Sequence, residues 1–586
     1  MSRVASGKTR IDKCYEKQKN GSYYVYERHS VYDPASGQYK SVKKVLLGKI
    51  PEGHPKTEDP IPTRPKRKSV AKHGQELTVE QYPTAMIEIL NHILETSGVK
   101  AELESALEDE DDKGLRDKIQ TCALYLLVND GESWAGMHNW TRDNLGFLPY
   151  VHGPITKDIS HDLVKYLGEN PAIKNKVFLL RAKKLDDDEL LALDSSTYIV
   201  ETKTGEIRIV QYAMHKDNTI RQLYKAVEVY AINCRKPVAF ALIPANIPDC
   251  NTVAAVLKQL EFLNLKSLEL ISDGGYCTDA TIGLMLSKHQ HFVTHIETNT
   301  KWIVPIIDQH REELLYGGEV IGIDPSYTGM RFPVKHTFKY VDEAGEEQTI
   351  TRRVNVFIYH STARAAKDEE AMLAKFEQYK EDLIDGAALC DDKKDFDSFC
   401  DKYMKVTKDA SGKVLEVTRK SANWKKLMRL NGFLVILADK EKDVNKGFEK
   451  YRAREKVEED IKNDKSHAGG DVTYKHSTIT IDGQYFIRFE SRTLRESFDL
   501  ELKSIRRNLA VPNGNDEHDT SENLKLERKL RSWLQHTSLV NIIKWFAKLT
   551  ATSIHHGKKE YLWQPDYIKR DKLFLKKIGL YQGDEK

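Results

Sequence analysis

The chain has 586 residues, of which 40% are hydrophobic and 31% charged, with a mean hydropathy of -0.56. At roughly 100 to 200 residues per domain that length predicts several folding units with a wet exterior and excludes disorder throughout. Lys+Arg 91 against Asp+Glu 88 leaves +3, so net charge neither demands nor excludes nucleic acid and the local distribution must decide.

The seven cysteines are scattered and never form a CxxC pair, which argues for reduced thiols and against a zinc ribbon. The start MSRVASGKTR is basic without an apolar run behind it, so no signal peptide is expected. The longest apolar stretches, such as Phe433 to Ala438, fall far short of the ~20 residues of a membrane span. The expectation is a soluble, cytoplasmic protein.

Taken in chain order, residues 1–52 read as a small β module. YYVYERHSVYD and QYKSVKKVLLGKI are Tyr- and Val-rich runs joined by Asp33-Pro34-Ala35-Ser36-Gly37, the pattern of a β-hairpin. Residues 53–76 mix prolines with Arg64, Lys66, Arg67 and Lys68, a basic linker that suits either a phosphate backbone or a plain solvated tether. Residues 77–185 have helical spacing, as in Met86, Ile89, Leu90 and Ile93, and read as a helical domain, a candidate for DNA binding.

From 186 to 300 the pattern becomes mixed α/β. LLALDSSTYIVE, EIRIVQYAM and KPVAFALIPANI read as strands, followed by the helix NTVAAVLKQLEFLNL, the strand LELISD, the helix TDATIGLMLSKHQ and the strand HFVTHIE. Residues 301–428 read as an insertion, β-rich with a hairpin turn at Ala344-Gly345 and then charged and helical. Residues 429–500 return to the core with the strand NGFLVILAD, a long charged helix and a β segment HSTITIDGQYFIRFES. Residues 501–586 read as a helical C-terminal region with a basic tail.

The charged helix concentrates chemistry. Tyr451, Arg454, Glu458 and Lys465 are offset by three, seven and fourteen residues, which at about 100° per residue puts them within a ~60° arc of one face. A phenol, a guanidinium, a carboxylate and an ammonium on one face suit a metal beside a phosphate, although an ion-paired solvent face is the plainer alternative. Asp194 ends LLALD and Asp273 ends LELISD, followed by Gly274 and Gly275. A carboxylate at the end of a buried strand either faces a cleft or carries an unpaired charge into the core, which is costly, so each is either a cleft ligand or an ordinary strand-end Asp. Carboxylates paired with two metal ions would serve phosphoryl transfer, and oxygen ligands favour magnesium.

Asp194, Asp273 and Glu458, with the Y-(2)-R-(3)-E-(6)-K spacing, resemble the DDE transposases of bacterial insertion sequences, specifically insertion-sequence family four and its relatives. YAMHKDNTIRQ, KPVAFALIPANIPDCNTVAAVLKQL and ISDGGYCTDATIGLM resemble the stretch between the first two carboxylates. The resemblance implies a ribonuclease-H-like catalytic core interrupted by a β-rich insertion. It implies Asp194, Asp273 and Glu458 as ligands of two divalent ions, magnesium or manganese. It also implies Arg454 and Lys465 gripping DNA near the cut, and Tyr451 on a terminal phosphate. Phe433 is the candidate to stack a flipped base, as in relatives that form a hairpin end, or else a core residue.

The implied activity is cut-and-paste transposition: binding terminal inverted repeats, cleaving by metal-activated water, and joining the 3'-hydroxyl to target DNA, in a synaptic complex of at least two copies. The implied setting is bacterial and nucleoid-associated. Two alternatives stand beside it: a catalytically impaired or domesticated copy that only binds DNA, and a nuclease or resolvase on the same core. Gly274 and Ala245 depart from the family pattern, which places a basic residue and a glycine there. His215 and His295 lack ligand spacing, and Ser195 and Ser196 lack an elbow motif.

Overall fold

The computed structural model describes residues 9–33, 36–57, 59–61, 77–110, 112, 114–129, 134–202, 207–215, 219–265, 267–385, 393–409, 412–467, 472–510, 522–556, 559–563 and 566–581. Residues 62–76 of the basic linker lie outside them. The chain divides into two compact units, one of Met1–Glu80 with Thr552–Trp563 and one of Gln81–Ala551 with Gln564–Lys586.

In the first unit, β1 (Thr9–Lys17), β2 (Tyr23–Asp33) and β3 (Gln38–Ile50) form an antiparallel sheet in that order. The hairpin closes where its sequence indicates: Asp33 pairs with Gln38, and Gly37 takes φ 63°, a conformation that favours glycine. β1 is an additional strand beyond that hairpin. β4 (Leu77–Pro83) opens as a strand the stretch expected to be helical from residue 77.

The second unit begins with helices from Thr84–Ser97 to Pro171–Ala182. Then come β5 (Leu190–Val200), β6 (Gln211–Met214), β7 (Ile220–Ala231), β8 (Lys236–Pro244), β9 (Glu269–Ser272) and β10 (Phe292–Ile296). β11 (Glu319–Val320), β12 (Thr328–Val341) and β13 (Glu347–His360) follow, with β14 (Met404–Lys408), β15 (Val414–Arg419), β16 (Phe433–Ala438) and β17 (Val472–Thr473). The large sheet runs β11-β12-β13-β16-β10-β9-β5-β7-β6, with β8 also on β7 and β17 also on β5. β5, β9 and β10 are mutually parallel, and β7 and β8 continue the sheet antiparallel. β18 (Thr550–His556) and β19 (Lys559–Trp563) make a second sheet of the first unit, in the order β19-β18-β4.

The strand period of two sorts the core by face. Ala192, Tyr230, Ile271, Val293, Ile436 and Phe357 pack with Phe448 and Val457 of the helix Val444–His467. Their neighbours Leu191, Leu193, Val227, Leu270 and Phe292 join the larger cluster that includes Val256 and Leu260 of helix Val253–Phe262. The β part of the insertion extends this sheet, because β13 pairs with β16 and β16 with β10. Helices Thr362–Asp385, Lys393–Tyr403 and Ser421–Met428 with the hairpin β14–β15 gather around a core of Phe376, Tyr379, Phe399, Met404, Val417 and Trp424, whereas Ile303, Ile307 and Leu314 at the start of the insertion join the larger cluster.

Two segments differ from their sequence pattern. The second strand of the core is β7, not EIRIVQYAM, of whose described residues only Gln211–Met214 form a strand. β7 is buried on both faces from Leu223 onward, so it has no alternation, and Lys225 and Glu228 obscure its apolar character. HSTITIDGQYFIRFES is not a β segment: it opens the 31-residue helix Thr478–Asn508, capped by Ser477, whose hydroxyl accepts from the Thr480 amide. Thr480, Ile481, Gly483, Tyr485, Phe486, Ile487 and Phe489 are all buried, so apolar residues surround the helix and erase its periodicity.

That helix crosses helix Lys157–Glu169 at backbone contact. A Cβ on Gly483 would lie 1.9 Å from the Val164 carbonyl oxygen, and one on Gly168 2.0 Å from that of Ile479. Gly483→Ala is therefore expected to destabilise the chain by about 1–3 kcal/mol, against the ~1 kcal/mol gain of the same change in an open helix. A lowered urea midpoint checks the sign.

Candidate active site

Two strands and one helix bring the predicted carboxylates together: Asp273 follows the end of β9, whereas Asp194, expected to end its strand, lies inside β5, which continues to Val200. β5 and β9 run parallel with Leu193 opposite Ser272, so Asp194 and Asp273 are the next residue on each. β9 and β10 run parallel with Ser272 opposite Thr294, which sets His295 beside Asp273 in the same way. On the other side Asp194 pairs directly with Glu228 of β7. The result is a row, Glu228, Asp194, Asp273 and His295, across four neighbouring strands, on the face that carries Ala192, Ile271 and Val293 and that packs against helix Val444–His467. Asp273 keeps an extended backbone, φ -81° and ψ 168°, before the short 3-10 turn Gly274–Tyr276.

The helix presents three of its four predicted residues to this row. Tyr451 Oη donates to Asp273 Oδ1 at 3.3 Å. Arg454 pairs with Glu458 through Nη1, and its Nη2 lies 3.6 Å from Asp273 Oδ1. The Arg454 side chain is only 7% exposed, whereas those of Asp273 and Glu458 are 47% and 45% exposed. One deeply set guanidinium thus stands among carboxylates that open to solvent. Lys465 belongs to the same helix, but its side chain lies outside the described residues. Phe433, first residue of β16, is 2% exposed and packs against His360 and under the Arg311 guanidinium. The structure places it in the core.

Electrostatics differ from residue to residue. Burial pushes the Asp194 carboxyl up to about 7; Arg454 and the Ser195 amide pull the other way, while Glu458 and Glu228 add to the rise. Burial pushes the Tyr451 phenol up to about 12, with Arg454 opposing and Asp273 assisting. Burial works against the Arg454 charge, yet Asp273, Tyr451, Glu458 and Asp194 together hold its pKa above the ordinary value. Burial lowers His295, against the pull of Asp273. Glu228 is engaged by the Tyr485 hydroxyl and by Arg492 Nη2 at 2.6 Å.

Several participants carry no motif. His295, set aside on spacing, has Nδ1 3.9 Å from Asp273 Oδ1. Its ring explains the unexpected Gly274, since a Cβ there would lie 2.6 Å from His295 Nδ1. Behind Asp194, Ser195 Oγ donates to Asp249 Oδ1 at 2.9 Å and Lys225 Nζ to the same oxygen at 2.7 Å. These bonds tie the β8–helix connection to β5 and β7. His295 lies inside β10 between Thr294 and the buried Ile296, so no sequence pattern marks it and only its register beside Asp273 does.

Carboxylate oxygens are the donors that hard divalent cations take, and three carboxylates against one guanidinium leave the cluster anionic. Among the described residues, no three His, Cys, Asp or Glu side chains stand at metal-holding spacing. Arg454, bonded to Glu458 and near Asp273, holds the intervening position, and its buried Nε has no hydrogen-bond partner. The set fits a divalent cation by donor chemistry, with a rotation of Glu458 off Arg454 as the adjustment needed.

A family model described as Transposase DDE domain matches residues 186–489, from just before β5 into helix Thr478–Asn508. Among curated proteins none matches the chain. Among solved structures, a piggyBac transposase synaptic complex with hairpin DNA is similar at a TM-score of 0.32 and 9% identity, over 77% of this chain and 80% of that one. That likeness is too distant to bear on the site.

Two expected outcomes follow from the geometry. A carboxyl raised from 3.8 to about 7 contributes stability that is complete below the unfolded pKa and lost as pH rises through the folded one. Metal-free Asp194→Asn should therefore match the parent chain near pH 4 and exceed its thermal midpoint at pH 8. Gly274→Ala should lower the midpoint by forcing His295 aside, and His295→Ala added to it should restore most of the loss. Thermal unfolding of the parent and the three variants reads both.

Proposed function

The chain belongs to the DDE-domain transposases, and on that footing we propose that it carries out cut-and-paste DNA transposition with Asp194, Asp273 and Glu458 as the metal-holding carboxylates. The observation that carries this reading is the register row: parallel pairing puts Asp194 and Asp273 side by side, and the helix face delivers Tyr451, Arg454 and Glu458 onto them. The strand order β8-β7-β5-β9-β10, three antiparallel strands and then two parallel to the first, supports a ribonuclease-H-like core.

DDE transposases generally use divalent metals. Two such ions, magnesium or manganese, would supply Lewis acidity for the attacking hydroxyl and the leaving oxygen of an in-line phosphoryl transfer. The residues of the chain do the rest. Asp194, with its carboxyl raised toward neutrality, has the most to gain from a cation, since ionisation without one is opposed by burial. Arg454 is placed to exchange Glu458 for a phosphate oxygen, a ligand that its planar fork matches equally well. Tyr451 offers a neutral hydroxyl, kept protonated by burial, to a phosphate at the strand end. Lys465 is assigned to the DNA beyond the cut by its place on the helix. Phe433 would have to leave the core to stack a base, so no step is assigned to it.

The substrate on this reading is the element's terminal inverted repeat, and the acceptor is target DNA. Pairing two ends requires at least a dimer in the complex. Glu458→Gln should lower magnesium-dependent cleavage of a terminal-repeat duplex by at least about two orders of magnitude, the scale of losing one charge-stabilising group, while leaving duplex binding nearly intact. Full cleavage by that variant sinks the assignment.

A further inference from the structure

Beyond the carboxylate row, the sheet continues as a two-stranded ribbon. β12 and β13 stay paired from Thr328↔His360 to Val341↔Glu347, far past Asn355, where the pairing of β13 with β16 ends. One face of the ribbon, with Phe338 and Tyr340, packs on helix Asp279–Ser287 so closely that a Cβ on Gly283 would lie 3.0 Å from the Tyr340 ring. The ribbon is thereby braced.

Its other face is exposed and basic. Arg331, Lys335 and Lys339 alternate along β12 with Pro333 and Thr337, and Arg353 stands opposite Lys335. All four cations are exposed, and none forms an ion pair with another described residue. Thr337 and Thr351 hydrogen-bond across the middle at 2.8 Å. Acidic groups are confined to the far tip: Asp342 accepts from the turn amides, Glu343 pairs with Lys288, and Glu347 opens β13.

The basic face lies on the same side as the carboxylates. Arg331 is opposite Phe357, Phe357 opposite Ile436, and Ile436 opposite His295, so the stripe starts in line with the row. From Arg331 to Lys339 it runs about 27 Å at ~3.4 Å per residue, the rise of about eight base pairs.

We propose that this ribbon is a track for duplex DNA, holding the phosphate backbone of the DNA that leads away from the cleavage point. The proposal rests on the transposase reading for the identity of its partner. Unpaired cations on one exposed face, with hydroxyls between them, complement a polyanion. A two-stranded ribbon also has the width that the major groove admits. The acidic tip sets the outer limit of the track.

The test uses the full chain, without divalent metal, and a fluorescein-labelled 30-base-pair duplex of arbitrary sequence, with affinity measured by anisotropy across a salt series. Replacing Arg331, Lys335, Lys339 and Arg353 together by Ala should reduce the slope of log K against log salt by roughly 3 to 4, at about 0.9 for each phosphate no longer neutralised. The charge-keeping set Arg331→Lys, Lys335→Arg, Lys339→Arg and Arg353→Lys should retain the slope. Removing Lys405, Lys408, Lys413 and Lys425, equally exposed cations elsewhere, should leave it unchanged. An unaltered slope in the ribbon variant overturns the proposal, as does an equal reduction in the control set or failure of the parent chain to bind the duplex. Self-association of the ribbon variant with an unaltered slope would show that the cations only guard an edge strand. Because this assay involves no chemistry, its failure with cleavage still abolished in Glu458→Gln sinks the track alone, and the opposite pattern sinks the catalytic reading alone.

Discussion

Parallel pairing between β5 and β9 is the constraint on which the site depends. The two strands run the same way with Leu193 opposite Ser272, so the next residues, Asp194 inside β5 and Asp273 just past β9, fall side by side. A slip of one residue in that pairing would turn one of the two aspartates to the opposite face. The register is specified by the core: Ala192 and Ile271 pack under the Glu458 helix, and Leu191 and Leu270 under the other layer. Apolar packing on both faces thus determines where two charges meet.

Placing those charges together is unfavourable, and the surroundings show how the strain is distributed. Glu228, directly across from Asp194, is matched by Arg492 and the Tyr485 hydroxyl. Asp273 and Glu458 keep access to solvent and share Arg454. Among the described residues no cation is bonded to Asp194, and burial raises its carboxyl toward neutrality against the pull of Arg454. A site left with one underneutralised buried acid is prepared to take up positive charge, and only part of that charge is already present in Arg454.

Legibility followed the physics residue by residue. Asp194 and Asp273 showed in the sequence because an acid directly after an apolar run breaks its pattern, although only Asp273 lies past its strand, and Glu458 because three chemically compatible side chains share its helix face. β7 did not show, since a strand buried on both faces with Lys225 and Glu228 inside it matches no period. The start of helix Thr478–Asn508 was hidden because its buried residues are spread around the axis, and Thr-Ile-Thr-Ile is strand-like in composition. His295 gave no sign because its role is relational, visible only once the register sets it beside Asp273 and over Gly274.

The route of the chain between Asp273 and Glu458 has a consequence in time. Glu458 follows Asp273 by 185 positions, 458 minus 273. Its helix follows β16, which fits between β10 and β13 and so cannot dock until the whole intervening stretch has folded back. Closing so long a loop is slow, because its entropy must be lost before the pairing that compensates it can form. During synthesis the two aspartates therefore emerge and pair long before their third partner exists. The complete cluster of acids exists only once residue 458 of 586 has been made, so the docking of β16 and the helix after it is the step that completes the site.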